Sequence, residues 1–203
     1  MMLIFTVITI VSAVLLFGYC EPTRKKLEGQ LEDDCDFFDT KDINTTPGKI
    51  YGYNPLKKTI QIPDKETYKI HDFFALQHEL GHMVDDKNNT VARWMKVIAF
   101  YRLIILPGSY IIGLINGITE AISARFVYII IAILLCFVIV KLVFIFLYEN
   151  SANNHALSVC EIYFEDEKMQ IIKRFAKYNV MQQYLVTIAF AGLGVIWLFI
   201  AVW

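Results

Sequence analysis

FVYIIIAILLCFVIVKLVFIFLYENSANNHA, residues 126–156, joins an apolar run to a polar one without a helix breaker between them. Residues 126–148 carry a single charge, Lys141, over a length sufficient for a helix to cross roughly 30 Å of hydrocarbon. Lys141 lies close enough to the end of that run for its ammonium to snorkel to the surface. If the helix continues, Glu149, Ala152, Asn153 and Ala156 share one face by the i, i+3, i+4, i+7 rule. A carboxylate, an amide and two small residues then stand together just past the end of a span.

Working outward, three further apolar runs appear: residues 1–20, residues 94–119 and residues 184–203. The first lacks the basic start and small-residue cleavage site of a signal peptide and reads as a retained anchor. In the second, Pro107-Gly108 predicts a kink, and Ser109, Gly113 and Gly117 form a small-residue stripe that another helix can approach. Composition agrees with four spans. Of 203 residues, 56% are hydrophobic and 19% charged, with a mean hydropathy of +0.47, against about 45–50% and about 25% in soluble domains. Disorder is excluded on the same numbers. A net charge of −1 offers no basic face for nucleic acid. The expected fold is mainly α, a polytopic protein of about four transmembrane helices with the lipid bilayer as its first partner.

Orientation follows from Lys and Arg. Arg24, Lys25 and Lys26 follow the first span, Lys87, Arg93, Lys96 and Arg102 precede the second, and Lys168, Lys173, Arg174 and Lys177 precede the fourth. The positive-inside rule therefore makes residues 21–93 and 149–183 cytoplasmic segments of a multi-pass cell-membrane protein. Cys35 and Cys160 then lie in a reducing compartment, and no cysteine spacing resembles a disulfide framework or zinc knuckle.

Within residues 21–93, the acidic stretch 28–42 reads as a solvated helix or loop. Residues 50–53 and 59–62 read as a β-hairpin around Asn54-Pro55-Leu56-Lys57-Lys58. Asp72 is the expected N-cap of a helix through Phe73, Phe74, Leu76, Leu80, Met83 and Val84. That helix carries His78-Glu79-Leu80-Gly81-His82, which contains two of the chain's four histidines. At i and i+4 the imidazoles project from one face and can grip one zinc ion, with Glu79 placed to act as general base on a metal-activated water.

A catalytic zinc needs a third protein ligand. The compact HExxHxxGxxH continuation is excluded, because Asp85 and Asn88 occupy the Gly and third His positions. Glu120 falls in the connection on the opposite side of the bilayer. Glu149 is returned by the second and third spans to the side that bears His78 and His82, so it is the expected third ligand, with Asn153 as an amide able to orient a ligand imidazole.

The combination of HELGH with Glu-x-x-Ala-Asn-x-x-Ala after two spans resembles membrane gluzincins of the HtpX/Ste24 kind. It is more closely similar to membrane neutral zinc metallopeptidases of the YugP type, with Tyr53-Asn54-Pro55, His78 to His82 and Glu149 to Ala156 as the matching stretches. Asn54, Asn153 and His155 stand where that family has Asp, Ser and Arg. The resemblance implies a small zincin-like domain, one Zn2+ per chain held by His78, His82 and Glu149, Glu79 as catalytic base, and a polypeptide substrate. His155, His71, Tyr53 and Tyr163 are the candidates for stabilising an oxyanion. The expected function is a membrane-bound zinc endopeptidase acting on cytoplasmic or membrane-proximal polypeptides. The alternative is a non-catalytic scaffold or pseudo-peptidase with a structural zinc. Orientation has a direct check: Lys57→Cys should resist an impermeant maleimide in intact cells, whereas rapid labelling would invert the topology.

Overall fold

A computed structural model describes residues 2–86, 89–119 and 123–200; Lys87, Asn88, Glu120 and the last three residues of the fourth apolar run lie outside the described residues. The chain is mainly helical with one small sheet. In order, the elements are α1 (Met2–Leu15), α2 (Glu21–Gly29), β1 (Thr45–Gly48), β2 (Gly52–Asn54), β3 (Thr59–Pro63), α3 (Ile70–Asp85), α4 (Thr90–Phe100), α5 (Leu106–Thr119), α6 (Ala124–Phe144), α7 (Asn150–Tyr163) and α8 (Asp166–Ile200). Wider π-type turns at Leu16–Cys20, Tyr101–Ile105 and Ile145–Glu149 link α1 to α2, α4 to α5 and α6 to α7. Four continuous helices are long and apolar enough to cross a membrane: Met2–Gly29, Lys96–Asn116, Ala124–Tyr163 and Asp166–Ile200.

One compact unit comprises Met1–Cys20, Met95–Phe144 and Met181–Trp203. Its interior is apolar, with Tyr101, Val127, Leu134, Ala191, Val195 and Leu198 buried together. Outward, Leu3, Leu103, Ile118 and Ile139 are exposed, as expected of side chains that face lipid. Just before Pro107, the expected site of a kink, the helix widens at Tyr101–Ile105, which accommodates the missing proline N–H and the ring one turn back. The close approach expected at the small-residue stripe is made at Gly113, where the Trp197 indole fills the space a Cβ would need and donates Nε1–H to the Tyr110 carbonyl at 2.9 Å.

The second unit comprises Glu21–Trp94 and Ile145–Val180. Its core joins Leu27, Leu31, Phe73, Phe74, Ala156 and Ile172. The acidic stretch 28–42 is only partly solvated, which corrects the sequence expectation. Leu31 and Cys35 are buried in that core, while Asp33 and Asp34 reach out to Lys168 and Lys69. The apolar residues, few as they are, decide the path of the segment, because burying a leucine side chain contributes about 1.5–3 kcal/mol.

The hairpin forms between β2 and β3, antiparallel, with Tyr53 opposite Ile60. A third strand, β1, adds in parallel to β3, so the order is β1-β3-β2 and β2 is an outer strand. Sequence reading missed β1 because Pro47 and Gly48 are turn signals; an outer strand tolerates them. Residues 166–183, expected as part of a connecting segment, are the first turns of α8, since nothing from Lys168 to Gln183 breaks a helix.

The start of α3 also differs from expectation. Lys69, not Asp72, is the N-cap. Asp72 sits three residues in, buried, and its carboxylate accepts the Lys69 backbone N–H at 2.9 Å and Lys65 Nζ at 2.6 Å. This is one half of a capping box, in which the third helical residue reaches back to the N-cap N–H while lysine, having no acceptor, returns no bond, and it draws the buried Ile70 into the helix. Asp72→Ala should lower stability by about 1–2 kcal/mol, and Asp72→Asn by less, as read from denaturant unfolding in detergent; equal stability of all three proteins would contradict the capping role.

Candidate metal centre

Helix periodicity brings the first two residues together. His78 and His82 lie one turn apart on α3, with ring centroids 4.7 Å apart and planes at 85°. Glu149 arrives from the turn that opens α7. Its Oε2 lies 3.3 Å from His78 Nε2 and its Oε1 3.5 Å from His82 Nε2, one carboxylate oxygen per imidazole. One ligand atom from each residue falls within 4.8 Å of the other two, so this buried group can hold a metal ion.

The approach of the two helices depends on Gly81. A Cβ at that position would stand 2.7 Å from Ala152 Cα and 3.0 Å from its carbonyl oxygen. Gly81 and Ala152 therefore bring the backbones into contact, and His78, His82 and Glu149 converge beside that contact. Ala152 and Ala156, expected as small residues on the Glu149 face, are both fully buried.

Asn153 Oδ1 lies 2.9 Å from His78 Nδ1. The ring donates Nδ1–H to the amide oxygen, which leaves the Nε2 lone pair directed at the Glu149 side. His82 Nδ1 is buried with no hydrogen-bond partner among the described residues. Burial opposes a charge on His78, yet the adjacent Glu149 carboxylate raises its pKa above the ordinary imidazole value.

Glu79 stands outside the His78, His82, Glu149 group. Its Oε2 accepts the backbone N–H of Tyr53, on strand β2, at 2.6 Å. Of the four oxyanion candidates, the Tyr53 hydroxyl is committed to Asp86 at 3.0 Å, His71 Nδ1 lies by the Leu31 carbonyl, and Tyr163 packs on Phe37 and Phe73. Only His155 of these four packs at the helix crossing, its Cβ beside Gly81.

Asp86 and Lys58 escaped the sequence reading. Lys58 Nζ meets Asp86 Oδ2 at 2.7 Å, and Asp86 is fully buried at the C-terminal cap of α3. A signal was present: an acid at the negative end of a helix dipole is unfavourable unless something pairs with it.

Comparison of the chain with models of protein families, with curated proteins and with solved structures yields no match. The chemistry of the centre therefore rests on its own geometry.

Because Glu149 favours the protonated form of His78, a bound cation must displace that proton. Metal loading should accordingly fall as pH drops through the imidazole range, and the fall should begin at higher pH than for an unperturbed histidine. Metal analysis after equilibration between pH 8 and pH 5 checks this; loading independent of pH would contradict it.

Proposed function

We propose that this chain is a membrane-bound, zinc-dependent endopeptidase. The observation that carries the reading is the division of labour in one short helix. His78 and His82 join Glu149 in a metal-binding group, while Glu79 between them stays free of that group and turns toward an outer strand. Two nitrogens and a carboxylate suit zinc, whose bond lengths of about 2.0–2.1 Å imply tetrahedral ligand–ligand edges of roughly 3.3 Å. Each imidazole nitrogen lies about one such edge from its nearer carboxylate oxygen, at 3.3 and 3.5 Å, and one ligand atom from each of the three residues falls within 4.8 Å of the others. A three-residue ligand set leaves room for water and substrate.

When bound, the metal would acidify a water molecule and polarise the scissile carbonyl. Glu79 takes the proton from the attacking water and passes it to the leaving amine. Asn153 keeps His78 in the tautomer that presents Nε2. Strand β2, an outer strand with the Tyr53 N–H directed at Glu79, offers an edge along which an extended polypeptide can lie with its scissile bond near the base. The Lys and Arg distribution supports a cytoplasmic side for this domain, and with it cytoplasmic or membrane-proximal polypeptides as substrates.

The wild type, Glu79→Gln and Glu149→Ala, purified in detergent, separate binding from chemistry. Glu79→Gln should keep about one zinc per chain and lose about 10²–10⁴-fold in cleavage of an unfolded protein. Glu149→Ala should lose both zinc and cleavage. Equal cleavage by all three would refute the mechanism, and stoichiometric zinc without cleavage in the wild type would point to a structural site.

A further inference from the structure

Tyr53 does two things at once. Its backbone N–H meets Glu79 Oε2 at 2.6 Å, and its hydroxyl donates to Asp86 Oδ2 at 3.0 Å. Asp86 follows directly on α3, where its buried carboxylate faces an unfavourable helix dipole. Lys58 compensates. Its ammonium donates to Asp86 Oδ2 at 2.7 Å and to the Asp86 carbonyl at 3.0 Å.

Lys58 is the last residue of the turn between β2 and β3, and it has a left-handed φ of 53°. Lysine rarely adopts that conformation, so the backbone is held there by its surroundings. Both sides of the hairpin turn are thus tied to one carboxylate: Tyr53 from β2 and Lys58 from the residue before β3. That carboxylate is rigidly joined to the helix bearing Glu79. Tyr53, Ile60 and Ile62 pack with Leu76 of α3 and hold the strands against the helix, but the turn beyond them carries only the exposed Leu56, so its position depends on the polar bonds to Asp86.

We propose that Asp86, Lys58 and Tyr53 form a positioning clamp, which fixes outer strand β2 against α3 so that the Tyr53 N–H orients the Glu79 carboxylate. None of the three side chains needs to touch substrate or metal. The clamp acts through the strand, and its catalytic consequence rests on the peptidase reading above.

The full chain in detergent, loaded with zinc, tests this with Lys58→Met, Lys58→Arg and the double variant Lys58→Met/Asp86→Asn. The double variant guards against misfolding, because the neutral amide leaves no unpaired buried charge. Three quantities are read: zinc content, kcat and KM on an unfolded protein substrate, and hydrogen exchange at the Tyr53 amide. All variants should keep zinc. Lys58→Met and the double variant should lose about 10–100-fold in kcat with KM changed less than about threefold, and Lys58→Arg should stay near wild type. Tyr53 exchange should accelerate about tenfold or more in the two slow variants. The clamp is overturned if the double variant recovers both kcat and amide protection, which would leave Lys58 and Asp86 as a structural ion pair only. It is overturned equally if kcat falls while Tyr53 exchange is unchanged, or if Lys58→Met alters neither. A wild type that binds zinc without cleaving peptide refutes the peptidase reading instead, and Tyr53 exchange alone then decides the clamp.

Discussion

At the crossing of α3 and α7, a Cβ on Gly81 would lie 2.7 Å from the Cα of Ala152, closer than such atoms approach in real proteins. The two backbones touch, and the rest of the site is arranged around that contact. Helical spacing then does the remaining work on each side. On α3 it puts His78 and His82 on the contacting face; on α7 it puts Asn153 beside Ala152 and Glu149 one turn before it. A larger residue at either contact position would separate the helices, and the 3.3 and 3.5 Å separations between imidazoles and carboxylate could not survive.

Such a cluster has an energetic cost that a cation would offset. Two imidazoles and a carboxylate are withdrawn from water here, and desolvating a charge costs several kcal/mol unless it is paired. The Glu149 carboxylate raises the pKa of His78, so a proton and a cation would compete for the same imidazole nitrogen. His82 Nδ1 has no hydrogen-bond partner among the described residues. A divalent ion would replace the proton and satisfy all three donors together. The same balance links metal loading to pH.

Residues whose roles follow from helical periodicity were legible in the sequence. HELGH specifies its own geometry once α3 forms, and the Glu149, Ala152, Asn153, Ala156 face depends only on the helix continuing past Tyr148, which it does through a single wide turn. Four apolar helices followed from the same kind of reasoning. What stayed hidden depends on contacts between residues distant in sequence. Strand β1 exists because β3 offers it a partner, despite Pro47 and Gly48. Asp72 serves α3 from three residues inside because Ile70 is buried and pulls the helix start back to Lys69. The bonds of Tyr53 to Glu79 and of Lys58 to Asp86 span 26 and 28 positions, and no local pattern announces such a pairing.

The central claim is that one metal ion sits among His78, His82 and Glu149. Zinc K-edge X-ray absorption of the purified, zinc-loaded chain tests it most directly. The predicted first shell is two imidazole nitrogens and carboxylate or water oxygens at about 2.0–2.2 Å, with no sulfur; scattering at about 2.3 Å from a cysteine thiolate, or a shell without imidazole, would contradict the account.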